Sequence, residues 1–152
     1  EGHAQCVELL LASKADANQT DEKNGTFPML LAAANGHAQC VELLLAGKAD
    51  ANQVDEKDGG FPLLLAAENG HAQCVELLLA SKADANQTNE KSGTFPLLKA
   101  AENGHAQCVE LLLASKADAN QTDPQKRWTP LQQALRNSRT KCVEILQRAG
   151  AK

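Results

Sequence analysis

Five cysteines and four histidines are the side chains with the most reactive chemistry in this 152-residue chain. Their spacing is regular. His37 and Cys40, His71 and Cys74, and His105 and Cys108 are each three residues apart. Two ligands at i and i+3 share one helical face and could in principle take zinc. Two ligands per pair fall short of the four that a tetrahedral site needs, so no metal site is expected. The cysteines recur at Cys6, Cys40, Cys74, Cys108 and Cys142. A disulfide needs Cα atoms within about 7 Å, whereas packed helices sit roughly 10 Å apart. Equivalent cysteines are therefore expected to stay free, as small buried hydrophobes. Free thiols favour a reducing compartment, so the expected location is intracellular and cytoplasmic, with the nucleus left open.

No catalytic constellation accompanies them. There is no P-loop, no Gly-x-Gly-x-x-Gly, no Gly-x-Ser-x-Gly and no His-Glu-x-x-His. Glu42, Glu76 and Glu110 recur on solvated helix faces and do not read as acid–base pairs. The chain is not expected to be an enzyme or to carry a cofactor. Aromatic residues are 3% with no Tyr, which argues against stacking single-stranded nucleic acid. The net charge of -4 argues against a phosphate-binding surface. The longest run of Ala and Leu type, Met29 to Ala34, is far short of the roughly 20 residues of a membrane span. No signal peptide is visible, since the chain opens directly into helical sequence.

What positions these residues is a repeat. Gly-His-Ala-Gln-Cys-Val-Glu-Leu-Leu-Leu begins at Gly2, Gly36, Gly70 and Gly104, a spacing of 34. Pro28, Pro62, Pro96 and Pro130 keep the same period. Each unit reads as two short helices and a loop. Proline suits the first helical position, where no N–H is needed. The junction glycine ends the first helix. The second runs from about His37 to Gly47 with a wide apolar face. The polar stretch Val54 to Gly60 carries turn chemistry and should project as a hairpin or loop. Helices this short are marginal alone, so each pair must be covered by the next.

The order of parts closely resembles the ankyrin repeat. The residues that carry the likeness are Asn24-Gly25-Thr26-Phe27-Pro28-Met29-Leu30-Leu31-Ala32-Ala33-Ala34-Asn35-Gly36-His37, then Cys40-Val41-Glu42-Leu43-Leu44-Leu45 and Ala49-Asp50-Ala51-Asn52. The resemblance covers essentially the whole chain and implies an all-α solenoid of helix–turn–helix units joined by hairpin loops. It divides residues 1–152 into a partial N-terminal repeat (1–24), full repeats (25–58, 59–92 and 93–126) and a C-terminal capping repeat (127–152). Three departures stand out. The period exceeds the usual 33 or so residues by one, which should lengthen the loop tips. Phe27, Phe61 and Phe95 hold the place of the family's Thr, trading an N-cap for apolar burial. Lys14, Lys48, Lys82 and Lys116 hold the place of a glycine, with mild strain if the left-handed conformation is kept.

The ends differ from the middle. Glu1-Gly2-His3 aligns with Asn35-Gly36-His37, so the chain reads as part of a longer array with apolar surface left open at its start. Trp128-Thr129-Pro130-Leu131 returns to the Thr-Pro-Leu form, and Gln147, Arg148 and Lys152 add polar groups, as a cap would. Residues 123–152 sum to +5 and residues 1–122 to -9.

By resemblance, partner proteins bind the concave face of first helices and the loop tips. On that face lie Leu31, Ala34 and Asn35, then Leu65, Glu68 and Asn69, then Lys99, Glu102 and Asn103, and finally Gln133, Arg136 and Asn137. Asp55, Glu56 and Asp58 stand at a tip. Leu31 and Leu65 should form an exposed apolar row, with Lys99 breaking it. The leading expectation is a non-catalytic module that docks a protein partner on this face. The alternative is a structural or engineered, consensus-like scaffold without a natural ligand. Weak self-association through the N-terminal half-repeat stays open.

Overall fold

The computed structural model describes residues 3–152. Nine α-helices are present among them and no strands: α1 (Ala4–Ala12), α2 (Pro28–Ala34), α3 (Ala38–Ala46), α4 (Pro62–Glu68), α5 (Ala72–Ala80), α6 (Pro96–Asn103), α7 (Ala106–Ala114), α8 (Pro130–Arg136) and α9 (Thr140–Arg148). From α2 onward they form antiparallel pairs, each stacked on the next, with first helices against first helices and second against second.

The local causes are visible in the sequence. Each first helix starts at its proline, preceded by an extended residue. Gly36, at φ 73, takes the left-handed turn between helices. A Cβ there would lie 2.6 Å from Nδ1 of His71, so the space as well as the dihedral requires glycine. After each second helix Lys14, Lys48, Lys82 and Lys116 do hold left-handed backbone, at φ 63 to 67. Gly150 holds the same position in the last unit, at φ 81. Two more such residues were not anticipated. Arg127 (φ 57) replaces the loop glycine and Ser138 (φ 56) the junction glycine.

Packing follows residue size. Ala32, Ala33, Ala66, Ala67, Ala100, Ala101 and Ala134 line the first-helix row and are buried. Second helices meet through larger residues such as Val41, Leu44, Val75 and Leu78. Small side chains let the first helices approach one another more closely than the second helices do. We refer to the first-helix row as the inner face. Phe27, Phe61 and Phe95 are buried between units, and each forms an N-cap without a side-chain hydrogen bond. Thr129 has the opposite design. Its hydroxyl accepts from the Gln132 N–H, and its own N–H donates to Gln132 Oε1, which closes a capping box.

Polar residues stitch each unit to its neighbour. Asn18, Asn52, Asn86 and Asn120 accept through Oδ1 from the backbone N–H of Asp50, Asp84, Asp118 and Lys152, at 2.7 to 2.8 Å. Gln53 and Gln121 donate to the carbonyls of Asn18 and Asn86 at 3.1 Å. His71 and His105 donate through Nε2 to the carbonyls of Ala34 and Glu68, at 3.1 and 3.0 Å. A carbonyl only accepts, so Nε2 carries the proton in both rings. Arg139 stands in the histidine's place in the last unit and reaches Glu102 O with Nε at 3.0 Å.

Candidate functional site

The inner face carries the residues singled out from the sequence, and their environments differ along it. Leu31 is 49% exposed, whereas Leu65, on a helix flanked by both α2 and α6, is half-buried. The expected row of two exposed leucines is therefore one exposed leucine and a partly covered one. Ala34 is half-buried and Asn35 exposed.

Lys99 does not simply interrupt an apolar row. Its Nζ lies 3.0 Å from Glu68 Oε1 and 2.9 Å from Glu102 Oε2, so one cation bridges two first helices. Burial disfavours the charged lysine. The two carboxylates outweigh that cost and hold its pKa above the ordinary value. The triad leaves one net negative charge. Glu68 and Glu102 are thus already engaged, and the face is less acidic there than two free carboxylates would make it.

Two expected contact residues are corrected. Gln133 is buried, on the core side of α8, and its carbonyl accepts from Asn137 Nδ2 at 3.0 Å. Asp55 is buried beneath its loop, not displayed at the tip. Its Oδ1 accepts from the Lys57 N–H at 2.8 Å, and it packs where Gly25 leaves no side chain. Asn89 and Asp123 hold the same place in the next loops. The tips are Glu56, Lys57 and Asp58, all exposed. Two asparagines at the helix ends also bond across to the neighbouring unit. Asn69 Nδ2 donates to Ala34 O at 3.1 Å and Asn103 Nδ2 to Glu68 O at 2.8 Å. They hold neighbouring units together. At the far end Arg136 is exposed and its guanidinium sits 4.5 Å from the ring centre of Trp128, a cation–π contact that fixes its direction.

One surface feature was missed in the sequence. A groove of about 700 Å³ runs between the second and third loops, lined by Val54, Glu56, Asp84, Glu90 and Lys91 among others. Val54 is 42% exposed there. The 34-residue period already contained the signal, because Thr20, Thr88 and Thr122 stand where Val54 does. Thr20 and Thr88 accept from Gln53 and Gln121. Val54 offers no such oxygen, and Gln87 is left with a 3.5 Å contact to Asn52 O.

The cysteines divide. Cys40, Cys74, Cys108 and Cys142 are buried and free, but Cys6 is exposed. The expectation of five buried thiols is corrected for Cys6, because no described helix covers that side of α1, which buries none of its residues. Burial pushes the Cys74, Cys108 and Cys142 thiols up, Cys108 to about 11. Among the described residues no group of three or more His, Cys, Asp or Glu is placed to hold a metal ion. No described helix is long and apolar enough to cross a membrane.

A stack of helix pairs, tied from unit to unit by polar ladders and with variable side chains along its first-helix row, is an α-helical repeat solenoid. A family model described as ankyrin repeats (3 copies) matches residues 1–89 and 82–152, so the chain belongs to the ankyrin repeat family. Ankyrin repeats are in general protein–protein interaction modules. Compared with curated proteins, the chain finds no match.

Proposed function

We propose that the chain is a non-catalytic docking module that holds a protein partner on its first-helix face, with the loop tips at the margin. The observation that supports this most directly is where the sequence varies. The second helices α1, α3, α5 and α7 are identical, Ala-Gln-Cys-Val-Glu-Leu-Leu-Leu-Ala in each. The inner row instead changes from Leu31 and Ala34 to Leu65 and Glu68, Lys99 and Glu102, and Arg136. The second helices repeat on their exposed side as well, at Glu42, Glu76 and Glu110, so the variation is concentrated on the first-helix row. The loop tips Glu56 and Asp58 add charge beside the same face.

The test compares faces with a partner captured from lysate and then purified. Leu31→Glu and Arg136→Glu change exposed side chains on the inner face. Glu76→Lys changes an exposed side chain on the outer one. The inner variants should weaken affinity roughly tenfold or more, as expected for interface anchors. Glu76→Lys should leave it unchanged. Loss of binding in Glu76→Lys, with the inner variants unaffected, would move the site to the outer helices.

A further inference from the structure

The groove between the second and third loops holds chemistry that its neighbours lack. Val54 lines it with 42% of its surface exposed. The other units have Thr20, Thr88 and Thr122 at this place. Where the threonine is kept, the glutamine of the next unit is tied to it. Gln53 Nε2 donates to Thr20 Oγ1 at 3.1 Å, and Gln121 Nε2 to Thr88 Oγ1 at 2.9 Å. Val54 accepts nothing. Gln87, half-buried in the wall of the groove, keeps one contact of 3.5 Å to Asn52 O, at the limit of a hydrogen bond. Its amide therefore has donor and acceptor capacity to spare. Around this pair the groove is acidic. Glu56 from one unit and Asp84 and Glu90 from the next line it, and all three are exposed. Among the described residues the ion pairs join only Lys99 to Glu68 and Glu102, so these three carboxylates are unpaired. Lys91 also lines the groove, but its ammonium is turned onto the carbonyls of Glu56 and Lys57.

We infer that this groove receives an arginine of a partner protein. An aliphatic surface beside carboxylates suits a side chain that is apolar along its stem and cationic at its end. The stem covers Val54 and the guanidinium faces Glu56, Asp84 and Glu90. The partner's main chain beside the arginine pairs with Gln87, whose Nε2 donates to a carbonyl and whose Oε1 accepts from an N–H. Arginine suits the site better than lysine. Its planar fork serves carboxylates from two units at once, and its weaker hydration makes contact with Val54 less costly. An aliphatic side chain would cover Val54 but leave the carboxylates unanswered, and an acidic one would be repelled. The site is separate from the first-helix row, so its failure leaves that row untouched.

The test is an NMR titration of the intact, isotope-labelled chain with the end-blocked peptide Gly-Ser-Ala-Arg-Ala-Ser-Gly. A second peptide carries citrulline, the neutral isostere, in place of arginine, and a third carries lysine. The arginine peptide should shift the Gln87 side-chain amide and the Val54 methyls, saturably at up to about 2 mM. The citrulline peptide should bind about fivefold more weakly, the size of one exposed charge pair, and the lysine peptide should fall between the two. Val54→Thr gives the groove the residue that the other units carry and a hydroxyl for Gln87, so its melting should match the parent. Its affinity for the arginine peptide should drop about fivefold, because the apolar floor and the spare amide are lost together. Glu90→Gln should weaken binding about twofold or more, and Glu76→Gln, on an outer helix, should change nothing. Absence of shifts at millimolar peptide, equal binding of the citrulline peptide, or undiminished binding by Val54→Thr overturns the inference. Tighter binding of the lysine peptide overturns the assignment to arginine.

Discussion

Cys6 and Cys108 sit in identical decapeptides, yet one is exposed and the other buried with its pKa pushed up to about 11. Thiol reactivity should separate them. In native protein at pH 8 a disulfide reagent should modify Cys6 within minutes, and Cys40, Cys74, Cys108 and Cys142 only on unfolding. Simultaneous modification of all five would contradict the packing. The raised pKa also has a sign. Folding holds the Cys108 proton more tightly than the unfolded chain does. Stability from that group is therefore complete below about 9 and is lost as pH climbs toward about 11. Lys99 adds a loss above its ordinary value of 10.5. In Cys108→Ala the slope of stability against pH across 9 to 11 should flatten, whatever happens to the absolute value. The left-handed lysines offer a third test. Relief of side-chain strain exceeds the entropy cost of glycine, so Lys48→Gly should stabilise the chain by about 0.5–1 kcal/mol in urea unfolding. These lysines were legible in the sequence because a family pattern puts glycine there. The fate of Cys6 was not, because exposure depends on whether a neighbouring helix covers the residue.

Two designs for starting a helix coexist in one chain. α2, α4 and α6 begin at a buried phenylalanine, while α8 begins with the Thr129–Gln132 capping box. Loss of either is measurable, and the two losses differ in size. Thr129→Ala removes one side of the box and should cost about 1 kcal/mol. Phe95→Ala opens a cavity between units and should cost about 3–5 kcal/mol. If thermal or urea unfolding showed the two costs to be equal, Phe95 would not be the packing anchor that its burial implies. The helices themselves were readable, since each first helix starts at a proline and each second helix repeats one sequence. The triad on the inner row was harder to read. Glu102 is three residues from Lys99 and could be paired with it by helical spacing, but Glu68 reaches Lys99 only from the adjacent helix. Glu68 counted from sequence alone looked free, and stacking brought it to Lys99. Asp55 and Gln133 were misplaced for a related reason. A polar residue in a loop or on a short helix reads as exposed until the neighbour that covers it is in place.

Across the whole molecule, stability runs from neighbour to neighbour. The asparagine ladder ties each unit to the next through a backbone N–H, and these ties repeat with little change along the stack. Breaking one should therefore weaken a junction more than a unit. Asn86→Ala removes the acceptor for the Asp118 N–H and should cost about 1 kcal/mol. Its effect should concentrate in hydrogen exchange of α6 to α9, on the far side of the junction. Uniform loss of protection from α2 to α9 would mean that the stack unfolds as one block. The junctions also have a consequence for heredity. Asn18 meets the unit after it much as Asn52 and Asn86 meet theirs, so a unit copied into the middle of the array finds acceptors and donors waiting on both sides. Duplication or loss of a 34-residue segment by unequal recombination would change how far the inner face extends without requiring a single compensating substitution.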